Sequence, residues 1–248
     1  MLRLLTYLAP SIPAAFFRLV ADVIAAGTGV EVTLSFEQRI SGPMPGDENP
    51  LAAGTADVGF MCAPSYRWQR ERLELLPVPV PADERACGRP VYFGDVVVRR
   101  DDAAASFVDL RGRRWAFNDR NSRSGWFCML ERIAPADPTE YFGAVIEAGS
   151  HLESLRLIRA GLADAAAIDS NALRFAGRND PSLRDEVRVL DTWGPFPIQP
   201  VVMRSTLPPA VRHAVRTALL RAHESVGDEL RRFGFLRFVD ASPADYDR

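Results

Sequence analysis

The sequence predicts an α/β protein of parallel sheets with helices packed on both faces. Strand-like and helix-like runs alternate almost from end to end of the 248 residues. The helical runs are about 10 to 15 residues long, the length of a crossover between parallel strands. The composition, 47% hydrophobic and 25% charged, is that of an ordinary globule able to bury a sizeable core.

Residues 2–8 read as the first strand. Pro13 opens a helix in which Phe16, Phe17, Val20, Val23 and Ile24 share a face, with Gly27 and Gly29 closing it. Val30, Val32, Leu34 and Phe36 alternate with polar residues, as a half-buried strand does. Residues 41–50 are a loop by their Pro and Gly content. Apolar strands are expected at 56–61, 91–99, 113–117 and 145–148. The helix after Gly149-Ser150 carries Leu152, Leu155, Ile158 and Leu162 on one face. A small-residue strand at 164–168 leads through Asp169-Ser170-Asn171 into a further helix. Strands at 187–190 and 200–203, then a long helix over 208–230, complete the pattern.

The 30 cationic and 32 acidic side chains leave a net charge of −2, and no basic stripe or tail points to a nucleic-acid partner. All 30 cations are arginine. That excludes lysine Schiff-base chemistry and a Walker-type phosphate lysine. Cys62, Cys87 and Cys128 are far apart, form no CxxC pair and no zinc spacing, and read as buried or free thiols. No histidine and carboxylate cluster has metal-ligand spacing, and no glycine-rich dinucleotide fingerprint follows the first strand, so no metal or cofactor is expected. The run MLRLLTYLAPSIPAAFF is cut by Pro10, Ser11 and Pro13 before any signal-peptide cleavage site, and no segment is long enough to span a bilayer. As written, the chain is expected in the cytoplasm.

In open α/β sheets, ligands sit beyond the carboxyl ends of the strands. The loops placed there are 9–13, 36–38, 62–66, 118–125, 149–151 and 169–171, and they gather Ser11, Tyr66, Ser122, Arg123, Ser124, His151 and Asp169. In the stretch AFNDRNSRSGWFCML a strand breaks into a polar turn before a helix. Unpaired amides at a helix start bind oxyanions; Ser122 and Ser124 add hydroxyls, Gly125 permits close approach, and Arg123 could add a forked donor. The plainer reading is that Ser122 or Ser124 caps the helix, and on this stretch alone capping is the default. The default for His151 is a capping or surface residue and for Asp169 a cap, and Tyr66 either lines a cleft or packs. Ser122, His151 and Asp169 have the residue types of a catalytic triad, but no GxSxG elbow is present, so binding without turnover is the favoured reading.

Several segments, in order, resemble the phosphate/phosphonate-type ABC transporter substrate-binding proteins of the PhnD-like kind. They are Ala53-Gly54-Thr55-Ala56-Asp57-Val58-Gly59-Phe60 with Pro64-Ser65-Tyr66, and Asp109-Leu110-Arg111-Gly112-Arg113 with Asn121-Ser122-Arg123-Ser124-Gly125. Gly149-Ser150-His151 follows, then Ser154-Leu155, Gly161-Leu162-Ala163-Asp164-Ala165-Ala166, and Phe235-Leu236-Arg237-Phe238-Val239 with Asp245-Tyr246-Asp247 near the end. The resemblance implies a type 2 periplasmic-binding-protein fold: two Rossmann-like lobes joined by a two-stranded hinge and closing on a ligand between them. With crossings near 93–98 and 195–201, one lobe is expected at 1–96 plus 197–248 and the other at 97–196. The resemblance also implies that Ser122, Arg123, Ser124, His151 and Tyr66 hold the oxyanion, which shifts the reading of the turn from cap to anion seat.

The implied function is capture of a small oxyanion-bearing ligand (phosphate, phosphonate or similar) for ABC-type transport or sensing, by a monomer whose protein partner is a transporter permease. The alternative is an enzyme on the same fold, from the menaquinone pathway or like the thiamine-pyrimidine synthases, although the clustered cysteines of the latter are missing. Three departures stand out. Arg123 occupies a position where members commonly carry a small hydroxyl residue. Asn171 and Gln199 stand where acids would meet an amine, which disfavours an aminoalkyl-phosphonate and leaves Asp169 and Gln199 as candidates for polar ligand groups. The export signal usual in this extracytoplasmic family is not seen.

Overall fold

The computed structural model describes residues 1–37 and 41–247; Gln38, the end of one expected loop, lies outside them. The chain divides into two compact units, Met1–Val91 with Pro197–Arg248, and Tyr92–Phe196. In chain order, unit 1 begins with β1 (Leu2–Thr6), α1 (Ala14–Thr28), β2 (Val32–Phe36), β3 (Val58–Phe60), α2 (Ala63–Gln69), β4 (Leu73–Leu75) and β5 (Val78–Pro81). The chain enters unit 2 on β6 (Val91–Arg99), followed by β7 (Arg114–Phe117), a wide turn Arg123–Phe127 that runs into α3 (Cys128–Ile133), α4 (Pro138–Tyr141) and β8 (Ala144–Glu147). Then come α5 (His151–Arg159), β9 (Ala165–Asp169), α6 (Ser170–Asn179), α7 (Leu183–Glu186) and β10 (Val187–Pro197). Unit 1 is completed by β11 (Val201–Arg204), α8 (Pro209–Arg232) and β12 (Phe235–Val239).

Each unit is an α/β layer built on one five-stranded sheet, in the order β2-β1-β3-β11-β4 for unit 1 and β10-β6-β9-β7-β8 for unit 2. The expectation of parallel sheets needs correcting: both are mixed. β1 pairs in parallel with β2 and β3, and β7 with β8 and β9, but β11 runs antiparallel to β3 and β4, and β6 antiparallel to β9. A strand buried on both faces is a nearly continuous apolar run, which carries no mark of its direction. A two-stranded antiparallel ribbon, β5 with β12, also escaped the sequence pattern because Pro79 and Pro81 argue against a strand.

One device recurs in both units. In unit 1, Asp57 just before β3 accepts from the Arg3 backbone N (2.8 Å) and Nε (3.0 Å) on β1, and from Arg204 Nε of β11 (2.7 Å). In unit 2, Asp164 just before β9 accepts from the Arg114 backbone N (2.8 Å) and Nε (3.0 Å) on β7. In each case a carboxylate fixes the start of one parallel strand to its neighbour.

The helices bury the faces that their apolar spacing defines. Phe16, Phe17, Val20, Ala21 and Ile24 of α1 are buried. Gly27 does not end α1 as expected. It lies inside the helix where α8 approaches, and a Cβ there would stand 2.4 Å from Ala218 Cβ. The stop is Gly29, in the left-handed conformation at φ 67°. Leu162 falls beyond the end of α5 and is exposed, because the chain turns at Gly161, also at positive φ.

Candidate functional site

In unit 2, β7 has β8 on one side and β9 on the other, so its exit is the point at which the strand order reverses. Loops leaving such a point diverge and expose their amides. After β7 the chain makes the wide turn predicted as cap or anion seat, and its bonds show that the cap is Ser122. Ser122 Oγ accepts from Gly125 N (3.0 Å), and Ser122 O accepts from Trp126 N (3.1 Å) and Phe127 N (3.0 Å). These bonds use three of the turn's amides and leave those of Arg123 and Ser124 outside them. The Ser124 hydroxyl also takes no part in the cap.

Two glycines shape this turn. A Cβ at Gly125 would lie 2.0 Å from Asn118 Oδ1, so only glycine fits where the turn closes on β7. A Cβ at Gly94 of β6 would lie 3.2 Å from Ser124 Cβ, and Gly94 pairs with Asp169 at the end of β9. Gly94 thus places Ser124 and the end of β9 side by side. The loop after β8 is tied to the same place, since Ala148 N donates to Phe117 O and Gly149 N to Asn118 O, both at 2.8 Å. His151 follows as the first residue of α5, with Ser150 as cap, accepting from Glu153 N at 3.0 Å.

His151 is only 6% exposed, and burial pushes its pKa down to about 3, which keeps the ring neutral near pH 7. Its Nδ1 is buried without a hydrogen-bond partner among the described residues. Asp169 is buried and caps α6, its Oδ1 accepting from Asn171 N (2.7 Å) and Ala172 N (3.4 Å). Arg123 directs its guanidinium to Glu131 (2.7 Å) and over the Phe196 ring (4.9 Å). Arg120 lies 4.8 Å over the Trp126 ring. Neutral donors and helix-start amides are therefore the groups these loops offer to an anion, beside the buried carboxylates Asp119 and Asp169.

Unit 1 holds the other expected residues. Ser11 is half-buried in the turn between β1 and α1, a helix whose start at Pro13 has no side-chain cap. Tyr66 on α2 is buried against Tyr246, ring centroids 5.2 Å apart and edge-on, and burial raises its pKa, so the phenol is neutral. Gln199, on the segment that precedes β11 in the chain, is buried. Next to it, Ile198 O accepts from Tyr246 Oη at 2.9 Å and Pro200 O from Met61 N at 3.3 Å, which holds the segment beside β3.

Sequence reasoning passed over Asn118 and Asp119. Both are buried; Asn118 Nδ2 donates to Asp119 Oδ2 at 2.7 Å, and Asp119 Oδ1 accepts from Asn121 N at 2.8 Å. Asn118, held by Asp119, stands behind Gly125. Adjacent Asn and Asp directly after a buried strand were the available signal. Ser170, also unselected, accepts from Phe93 N at 3.1 Å and ties α6 to β6. Among the described residues no metal-holding cluster exists, and no helix is long and apolar enough to cross a membrane.

Over residues 6–246 the chain matches the family profile described as ABC transporter, phosphonate, periplasmic substrate-binding protein. Among solved structures it is similar to a binding-protein component of an ABC phosphonate transporter from Pseudomonas aeruginosa, with 14% identity, TM-score 0.78, and 99% of this chain and 82% of that one covered. It is also similar to PhnD1 from Prochlorococcus marinus in complex with methylphosphonate, with 15% identity, TM-score 0.77, and 99% and 94% covered. A Xanthomonas citri protein bound to chloride ion is similar as well, with 21% identity, TM-score 0.74, and 100% and 94% covered. At these identities the likeness is one of fold, the type 2 periplasmic-binding-protein fold.

Proposed function

This chain belongs to the family of periplasmic substrate-binding proteins of phosphonate ABC transporters, and we propose that it captures a small ligand of the phosphonate class by seating one oxyanion group on the loops that follow β7 and β8. The observation that carries this reading is the pairing of amides and side chains at the exit of β7. The amides of Arg123 and Ser124 lie outside the turn's own bonds, the Ser124 hydroxyl is free of the cap, and the neutral His151 ring starts the helix next door. Each hydrogen bond to an ionised group contributes about 1.5–3 kcal/mol, so a few suffice for a micromolar site without a paired cation. In this reading Arg123 contributes its backbone N–H, while its guanidinium stays with Glu131.

Asp169 and Asp119 set the rest of the ligand. A second anionic group beside them would be repelled, whereas a hydroxyl or amine would find an acceptor. In unit 1, Ser11, Tyr66 and Gln199 mark the carboxyl ends of β1 and β3, and we retain them as candidate binding residues, to be tested as Ser11→Ala, Tyr66→Phe and Gln199→Ala. The protein partner we assign is the permease of an ABC transporter.

We read the chain as a binder without turnover. No hydrogen bond links Ser122, His151 and Asp169 among the described residues: Ser122 serves the turn, Asp169 serves α6, and His151 Nδ1 has no partner. Titration calorimetry with methylphosphonate and inorganic phosphate tests the binding site. Ser124→Ala is expected to weaken affinity about 10-fold or more, the loss of one charge-assisted hydrogen bond; an unchanged affinity overturns the assignment. Mass spectrometry of the ligand recovered after incubation tests turnover, and an altered mass would favour an enzyme.

A further inference from the structure

Unit 2 contains a pocket of about 670 Å³ lined by Val97 and Arg100 near the end of β6, Leu173, Arg174, Gly177 and Arg178 of α6, Leu183 and Arg184 of α7, and Val187, Arg188 and Val189 of β10. We propose that this is a second binding site, for a nucleoside polyphosphate.

Charge points there first. Five arginines line the pocket, and no acidic side chain does. Many of the chain's arginines pair with carboxylates, as Arg3 does with Asp57, Arg114 with Asp164 and Arg159 with Glu186. Arg100 and Arg184 make no such pair among the described residues, and Arg188 donates instead to the backbone carbonyls of Asp102 and Ala104. In a chain with net charge −2, this local excess of positive charge is not the average of the surface.

The pocket's shape and chemistry point the same way. The pocket volume falls in the range of small-molecule sites. Half-buried Leu173 and exposed Val189 supply an apolar lining, a surface for a flat ring, with the buried Val97, Leu183 and Val187 behind it. Leu173 with Gly177 and Arg174 with Arg178 are each four residues apart on α6, so apolar and cationic stripes run side by side along one helix face. Guanidinium groups bind phosphate oxygens through forked hydrogen bonds and also stack on flat rings. One phosphate alone would leave most of the pocket unfilled; a purine or pyrimidine ring bearing several phosphates fills it and reaches Arg100 and Arg184 as well.

Its position sets the pocket apart from the oxyanion seat. β6 runs antiparallel to β9, with Gly94 opposite Asp169 and Val98 opposite Ala165. Arg100 therefore lies past the amino end of β9, while the oxyanion seat is at the carboxyl ends of β7 and β8. The two sites are separate and can be tested separately.

The test is titration calorimetry of the full chain with ATP, with inorganic triphosphate and adenosine as partial probes. ATP is expected to bind at one equivalent, more weakly as salt rises, and more tightly than either partial probe. The double variant Arg100→Glu/Arg184→Glu is expected to lose 10-fold or more in ATP affinity, with methylphosphonate affinity unchanged. Gly177→Glu gives the same readout from a position with open space, since nothing lies within 4 Å of a Cβ there; it decides the matter if the double variant fails to fold. The proposal is overturned if ATP does not bind, or if these variants bind it as the parent does. Loss of ATP binding in Ser124→Ala would also overturn it, by placing the nucleotide in the oxyanion seat. Binding of a glutamate-rich peptide but not ATP would make the pocket a protein-docking surface and would equally end the proposal.

Discussion

At His151, stability and the proposed binding role meet in one residue. Burial holds its folded pKa near 3, whereas an unfolded chain titrates this ring near 6.5. Below that pH the unfolded state takes up a proton that the folded state does not, so stability falls as pH drops from about 6.5 toward 3, by up to about 1.4 kcal/mol per pH unit. Urea unfolding between pH 7 and 5 is expected to show a steeper loss in the parent than in His151→Gln; equal slopes would mean that the ring is not buried in its neutral form. Across pH 6.5–8, affinity for methylphosphonate should be independent of this group. The sequence showed Ser122, Ser124, His151 and Asp169 as polar residues on strand-end loops but did not divide their labour. Whether a serine caps or is left available depends on which amide it meets: Ser122 Oγ meets Gly125 N, three residues on, and Ser124, inside the turn, has no such role. Arg123 is a similar case: its pairing with Glu131, eight residues on, follows from the path of the turn and α3 rather than from any local motif.

At the scale of elements, the two aspartates that open β3 and β9 allow a comparison within one molecule. The Asp57 side chain is 3% exposed and meets both Arg3 and Arg204, whereas Asp164 is 22% exposed and meets Arg114. Burial opposes ionisation of Asp57, yet the bonds from Arg3 and Arg204 hold its pKa below the usual carboxylate range. Its contribution is therefore present at neutral pH and is lost as pH falls below about 4. Asp57→Asn is expected to cost about 2 kcal/mol or more in urea unfolding at pH 7, and Asp164→Asn about 1 kcal/mol or less, since exposure screens the second clamp. A larger loss from Asp164→Asn would contradict the ranking. Both aspartates sit in runs that were legible as motifs, Gly54-Thr55-Ala56-Asp57 and Gly161-Leu162-Ala163-Asp164, but their role as strand clamps needs the neighbouring strand and so was not. Long apolar runs were read well: β6 spans Val91–Arg99, as its pattern predicts. Elements containing proline were read poorly, because β5 and the second half of β10 keep their pairing where a central strand could not.

For the whole molecule, any ligand that binds only the folded chain stabilises it by mass action, about 2.7 kcal/mol at a concentration 100 times its Kd. For a chain of this length that corresponds to roughly 5–10 °C in Tm. The tryptophans allow the effect to be located. Trp115, Trp126 and Trp193 are all buried in unit 2, and Trp126 lies within the turn proposed to seat the anion; Trp68, the one in unit 1, is 42% exposed. Tryptophan fluorescence therefore reports chiefly the melting of unit 2, while far-ultraviolet circular dichroism reports the helices of both units. Since each unit has its own buried cluster, the two signals are not bound to follow one transition. Saturating methylphosphonate is expected to raise the fluorescence midpoint by about 5–10 °C. In Ser124→Ala the same concentration should give a smaller shift, and in Gly177→Glu an unchanged one. A midpoint that moves by circular dichroism but not by fluorescence would place the ligand on unit 1 alone and remove the turn at Ser122–Gly125 from the site. A fluorescence shift that survives Ser124→Ala in full would leave the ligand on unit 2 but take the hydroxyl out of its coordination, with the turn amides as the remaining donors.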